Sequence, residues 1–245
     1  MKQQTFISTI RLQNFLSFGN AEEIELNALN VLIGRNSSGK SNLIEALGLL
    51  QALHRDLPGP IRQGGGIREW LWKGADKTPI AEINVTLNCP MSPVPLRYRL
   101  NFTEVNQRPE LVDEAIECAH KAQDWHDDVC FYYRYHKGNP VLNIQNIRSE
   151  NAEHPERTER ALQREDLDMN QSVLSQRKDP DQYPELTYVG NQFSKIRLYR
   201  EWNLGPYTPA RLPQHPDLPE DFLLEDMSNL GLVLNDLQHR PDIKT

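Results

Sequence analysis

Residues 31–50, VLIGRNSSGKSNLIEALGLL, decide how the rest of the chain is read. Asn30-Val31-Leu32-Ile33 is a short apolar run without helical period, which predicts a buried strand. Gly34-Arg35-Asn36-Ser37-Ser38-Gly39-Lys40-Ser41 then satisfies G-x-x-x-x-G-K-[ST] at every fixed position. Beyond it Leu43, Ile44, Leu47 and Leu50 follow an i, i+1, i+4, i+7 stripe, so residues 41–54 read as an amphipathic helix. Strand, glycine loop and helix in that order are the context that a Walker A phosphate-binding loop requires.

The residue types fit that chemistry. Gly34 and Gly39 carry no Cβ, which lets the main chain wrap closely around an anion. Successive N–H groups of residues 36–41, including Asn36, Ser37 and Ser38, then face the phosphates, and the helix adds the positive end of its dipole. Lys40 is the candidate catalytic residue, a point charge for the β- and γ-phosphates, and the Ser41 hydroxyl is the candidate ligand for Mg²⁺. Arg35 inside the loop and Arg11 at the end of the first strand are each as easily solvent-facing as phosphate-facing.

Composition sets the bounds. A chain of 245 residues is long enough to bury a sizeable core. With 38% apolar and 25% charged residues and a net charge of −7, it reads as acidic and soluble, without support for non-specific nucleic-acid binding over its whole surface. No apolar run approaches the roughly 20 residues of a membrane span, so no membrane association is expected. MKQQTFISTIRLQNF lacks the apolar centre of a signal peptide, which points to the cytoplasm. The three scattered cysteines, Cys89, Cys118 and Cys130, fit reduced thiols there.

Along the chain, residues 5–12 read as a strand buried on both faces, Glu23–Leu26 as a second short strand, and Leu57-Pro58-Gly59-Pro60 as the stop of the helix. From residue 80 the period changes to two. Ile83, Val85 and Leu87, then Leu96, Tyr98, Leu100 and Phe102, then Val129, Phe131, Tyr133 and Tyr135 alternate with polar or differently facing neighbours. Lys137-Gly138-Asn139-Pro140 reads as a hairpin turn into Val141–Ile144, so residues 80–145 are predicted to be mostly antiparallel sheet. Residues 149–168 are a mixed-charge run read as a solvated segment. Tyr183–Phe193 is predicted helical, Ile196-Arg197-Leu198-Tyr199 strand-like, and residues 204–219 extended. A last helix opens at Ser228 with Leu230, Val233, Leu234 and Leu237 at helical spacing.

The loop, extended to Asn42-Leu43, resembles the GxNxSGKSN form of the RecF/SMC branch of ABC-type ATPases. Ile10-Arg11-Leu12-Gln13-Asn14-Phe15-Leu16-Ser17-Phe18 resembles the first strand of that branch, with its Asn-Phe-x-Ser-Phe ending. Trp70-Leu71-Trp72-Lys73-Gly74, Ala210-Arg211 and Asn229-Leu230 resemble bacterial AAA-labelled predicted ATPases close to the OLD-like defence group. The resemblance implies an α/β fold, a P-loop NTPase of the ABC ATPase type with an inserted antiparallel β-subdomain. Residues 1–78 would be the P-loop part, 79–148 the β-subdomain, and 149–245 a charged linker followed by a helical and extended region. ATP and Mg²⁺ are the implied cofactors. Asn42 joins the implied binding set, as does Gln171, a Q-loop candidate positioned to reach Mg²⁺; Gln176 is the weaker choice. A homodimer sandwiching ATP is the implied assembly, with DNA or a nuclease as further partner.

The branch also needs a Leu-Ser-x-Gly signature, an apolar strand ending in Asp-Glu (Walker B) and a switch histidine. No run of four apolar residues followed by an acidic pair occurs after residue 50; Asp221-Phe222-Leu223-Leu224-Glu225-Asp226 comes nearest with three. Leu174-Ser175-Gln176-Arg177 lacks the signature glycine. The expectation is therefore the N-terminal half of a longer ATPase, one that hydrolyses ATP in DNA repair or anti-phage defence. This portion alone would bind nucleotide and turn it over slowly. The alternative is a non-catalytic regulatory or assembly module whose dimerisation ATP controls. A zinc site from Cys118, His120, His126 and Cys130 is disfavoured, because C-x-H-x5-H-x3-C is not a structural zinc spacing and strand alternation explains the four residues.

Overall fold

The computed structural model describes residues 5–92, 94–120, 130–136, 139–145, 157–161, 167–168, 170–200, 202 and 204–240. Two compact units divide the chain, Met1–Lys195 and Ile196–Thr245.

The first unit is built on one eight-stranded sheet: β1 (Ile7–Gln13), β2 (Glu22–Glu25), β3 (Ala81–Leu87), β4 (Leu96–Val105), β5 (Arg108–Cys118), β6 (Phe131–His136), β7 (Asn139–Gln145) and β8 (Arg157–Ala161). Its order is β2-β1-β3-β4-β5-β6-β7-β8, and every described pairing is antiparallel. Where residues 80–145 are described, they have the expected period of two, and His136 pairs with Asn139 across the β6–β7 hairpin; Val129, Lys137 and Gly138 lie outside the described residues, and Asn139 and Pro140, expected in the turn, belong to β7. Alternation places Ile83, Val85 and Leu87 on the same face as Leu96, Tyr98, Leu100 and Phe102, all buried. Ile10 and Leu12 of β1 extend that face.

Among the described residues of the first unit, five helices accompany the sheet. They are α1 (Lys40–Ala52), α2 (Pro58–Gln63), α3 (Ile67–Trp70), α4 (Val173–Gln176) and α5 (Pro184–Phe193). Phe193 of α5 meets the Tyr98 ring edge-on at 5.4 Å and the Phe6 ring at 5.8 Å. Such edge-to-face pairs add roughly 1 kcal/mol to area burial. The opposite face is polar. On it Glu117 is buried, and it accepts from Arg97 Nε at 2.8 Å and Arg99 Nη1 at 3.2 Å, with Arg134 Nη2 at 3.6 Å. A carboxylate with so little water requires that ring of cations.

Several expectations are corrected. Asn30–Ile33 forms no strand: Val31 and Ile33 are 74% and 89% exposed, and no described hydrogen bond uses the main chain of residues 31–33. The described sheet ends at β2, and no described strand pairing joins this apolar run to it. β1 pairs directly with β3, so a single antiparallel sheet takes strands from both sides of residues 78/79. β1 is covered on its inner face only. In α1 the buried residues are Leu43, Ala46, Leu49 and Leu50, whereas Ile44 is exposed, because the helix turns its 43/46/50 edge inward. Within 149–168, residues 157–161 form edge strand β8. His126 lies outside the described residues. Cys118, at the end of β5, and Cys130, just before β6, are both buried, with Cys118 N–H donating to Cys130 O at 2.8 Å.

The second unit contains α6 (Leu230–His239) and a 3-10 turn at Pro209–Arg211. Ile196–Tyr199 is not a strand there. Buried Asn229 ties the unit together: its Oδ1 accepts from Leu224 N–H at 2.8 Å, and its Nδ2 donates to the Pro219 and Phe222 carbonyls at 2.6 and 2.7 Å. Gln214 Oε1 accepts from Gly231 N–H at 2.8 Å and caps the start of α6.

Glu114 is the one carboxylate of β5 on the apolar face, and it is 1% exposed. It accepts from the Tyr98 hydroxyl at 2.7 Å, the Ser172 hydroxyl at 2.5 Å and the Val173 N–H at 2.9 Å, which pins the start of α4 to the sheet. Burial pushes its carboxyl above the ordinary value of 4.5, while the three donors pull the other way. Folding therefore favours the protonated form. Its contribution is fully present below the unfolded pKa and is lost as pH rises through the folded one. Unfolding free energies measured against pH should show the wild type losing stability, relative to Glu114→Gln, as pH climbs above about 4.5. Glu114→Ala should cost on the order of 3 kcal/mol, since three donors lose their acceptor.

Candidate functional site

The glycine loop folds as a self-contained turn at the start of α1. Gly39 is the N-cap of α1 with φ +89°, a left-handed conformation, and Ser37 is also at positive φ, +64°. Ser38 N–H closes the turn onto Arg35 O at 3.3 Å. The first intrahelical bond runs from Leu43 N–H to Gly39 O at 3.1 Å. No described hydrogen bond uses the N–H groups of Asn36, Ser37, Gly39, Lys40, Ser41 or Asn42, and the first turn carries neither an acid nor a side-chain cap. A natural helix ordinarily satisfies these donors with a cap. Left open at an exposed loop, they form a cluster of positive dipole ends suited to an anion.

Lys40 completes the cluster. Its Nζ donates to the carbonyls of Gly34 and Arg35, both at 2.7 Å, and to Ser38 Oγ at 3.3 Å. The loop thus winds around a cation fixed at its centre. Ser41 is exposed beside it, and no described hydrogen bond uses its hydroxyl. A Cβ at Gly34 would lie 2.8 Å from Ser38 Oγ, so the close winding depends on glycine there. The chemistry of this donor set fits a phosphate chain with its Mg²⁺: unpaired amides and an ammonium for the anion, a free hydroxyl for the metal.

The structure brings Gly34, Asn36, Ser37, Ser38, Gly39, Lys40, Ser41 and Asn42 together. Gln171 lies elsewhere. Its Oε1 accepts from Leu57 N–H at 3.1 Å and its Nε2 donates to Asp56 Oδ1 at 3.2 Å, beyond the C-terminal end of α1. The loop sits at the other end of that 13-residue helix, roughly 20 Å away. The expected Mg²⁺ contact from Gln171 is therefore corrected: its amide joins the 168–177 segment to the α1–α2 connection. Gln176 closes the same segment, donating to the Asp168 and Gln171 carbonyls at 3.1 Å each. Arg11 stands opposite Glu23 in the β1–β2 ladder, away from the loop's hydrogen bonds.

A second stretch reaches the loop. Asn42 Nδ2 donates to Ser17 Oγ at 2.8 Å, and the Phe18 ring lies 3.4 Å from the Cβ position of Gly39. Ser17 carries no chemical pattern of its own; only the resemblance of the Asn-Phe-x-Ser-Phe segment pointed toward it. Trp72 braces the same corner, its indole lying between Gly19 and Gly74, where a Cβ would come within 2.5 and 2.4 Å of its ring.

A family model, the AAA ATPase domain, matches residues 6–171. That span covers well over half of the chain, contains the loop, the helix and the described sheet, and shows that the chain belongs to the AAA ATPase domain family. No curated protein matches the chain closely enough to be reported. Membership supports nucleotide binding of the ATPase kind and the P-loop α/β class. Among the described residues no helix is long and apolar enough to cross a membrane, and no group of three or more His, Cys, Asp or Glu is placed to hold a metal.

Gly39 generates a direct expectation. In Gly39→Ala the left-handed conformation costs about 1–2 kcal/mol, and the new methyl meets Ser17 Oγ at 3.0 Å. Chemical denaturation should show that loss of stability, and titration with ATP should show weakened binding, because the turn cannot relax without moving the open N–H groups.

Proposed function

We propose that the chain is the ATP-binding part of a Mg²⁺-dependent ATPase of the RecF/SMC kind, acting in DNA repair or anti-phage defence. The observation that carries the reading is the exposed loop around Lys40, with its row of unpartnered N–H groups at the uncapped start of α1. Family membership supports the ATPase class, and the GxNxSGKSN and Asn-Phe-x-Ser-Phe resemblances support the narrower branch.

In this reading the N–H groups of residues 36–41 orient the phosphates and Lys40 neutralises the charge that develops on transfer. Lys40 Nζ already stands at the centre of the loop, and it exchanges one of its three contacts, with the Gly34 carbonyl, the Arg35 carbonyl or the Ser38 hydroxyl, for the anion. Ser41 offers a metal ligand; bound Mg²⁺ supplies further neutralisation across the phosphates. The acid that orients water, and the signature segment, come from elements outside the described residues, in cis or from a second protomer. The exposure of Leu29, Val31 and Ile33 at 83%, 74% and 89% supports such completion, since an apolar run of this kind becomes stable as a strand once paired and covered.

A second reading, a nucleotide-controlled assembly module without turnover, draws on that same exposed run. Calorimetric titration with ATP and Mg²⁺, alongside turnover, separates the two. The wild-type chain should bind, and Lys40→Ala should lose about 2 kcal/mol, roughly thirtyfold in Kd. Lys40-dependent binding with turnover supports the ATPase; binding without turnover, coupled to dimerisation, supports the module. Binding that ignores Lys40 would remove the basis of both.

A further inference from the structure

We infer that Ser17 is a positioning residue for the nucleotide site, holding the start of α1 through Asn42; the inference rests on the nucleotide reading above. Asn42 is the third residue of α1, the position from which a side-chain oxygen can fold back to accept from the N-cap N–H. Here its amide is turned to Ser17 Oγ at 2.8 Å instead. With the amide held in that direction, no described hydrogen bond joins Asn42 Oδ1 to the Gly39 N–H, which stays available to an anion.

Ser17 can serve as a fixed reference because its own turn is over-determined. Phe15 and Phe18 exchange main-chain hydrogen bonds at 3.0 and 2.8 Å. Leu16 N–H donates to Trp70 O at 2.9 Å, and Trp72 N–H to Asn14 O at 3.0 Å. Phe15 is fully buried and meets Phe102 of β4 edge-on at 6.4 Å. A rigid corner of the sheet is thereby connected to the loop by one hydroxyl. The same hydroxyl sits 3.0 Å from the Cβ position of Gly39, so it also limits how far the N-cap can swing. Asn42 is only partly buried, so losing this bond alters loop geometry more than core packing.

The test is titration of the full chain with ATP and Mg²⁺, for wild type, Ser17→Ala, Ser17→Thr, Asn42→Ala and the Ser17→Ala/Asn42→Ala double variant, each with its thermal midpoint. Ser17→Ala and Asn42→Ala should each weaken binding about fivefold, the size of one neutral hydrogen bond. The double variant should bind no more weakly than either single, since both remove one bond. Ser17→Thr, which keeps the hydroxyl, should restore affinity, and the midpoints of Asn42→Ala and the wild type should coincide. Additive losses, unchanged affinity in Asn42→Ala, or losses that track the midpoints would overturn the assignment. A wild-type chain that binds no ATP overturns the nucleotide reading and this inference together. Lys40-dependent binding that ignores Ser17 and Asn42 overturns this inference alone.

Discussion

One-sided burial governs this molecule. Eight strands in antiparallel order present an apolar face made by alternate residues of β1, β3, β4 and β5, and among the described residues of the first unit this is the face that buries its side chains. Everything that positions the phosphate loop hangs from it. Phe15 and Phe102 lock the β1 turn onto the sheet, the turn carries Ser17 and Phe18 to Gly39, and Gly39 starts α1. The loop stands at the rim of that core, where its N–H groups face water.

The two buried carboxylates of β5 show how the sheet treats its faces differently. Glu117, on the uncovered side, is neutralised by arginines from β4 and β6 that themselves reach solvent. Glu114, on the covered side, takes three hydrogen-bond donors in place of arginines, two of them from the start of α4. Desolvation dominates its ionisation for that reason, and the segment from 168 to 177 is tied to the sheet as a consequence. Gln171 belongs to this structural tie, which explains its distance from the loop.

The loop around Lys40 combines rigidity with open donors. A lysine bound to two carbonyls of its own loop costs flexibility that an exposed ammonium would otherwise keep, and it presets the curvature of residues 34–39. The same winding needs glycine at both ends, at Gly34 for close approach to Ser38 and at Gly39 for the left-handed turn. The motif is thus a set of backbone requirements as much as a set of functional groups.

Sequence alone determined the elements whose physics is local. The loop pattern, the helix after it and the period-two strands from residue 80 to 145 follow from backbone permissions and alternation, and they stand where they were read. The gathering of Gly34 to Asn42 into one loop at the start of α1 was legible for the same reason. Tertiary structure decided what depends on a partner. Asn30–Ile33 has the composition of a buried strand, yet pairing and cover are properties of neighbours, and none of the described residues supplies them. Gln171 had a suitable amide, but only the packing of its segment against the far end of α1 fixed its partners. Ser17 lacked any chemical signal in the sequence, because its importance lies in a 2.8 Å bond between residues 25 positions apart.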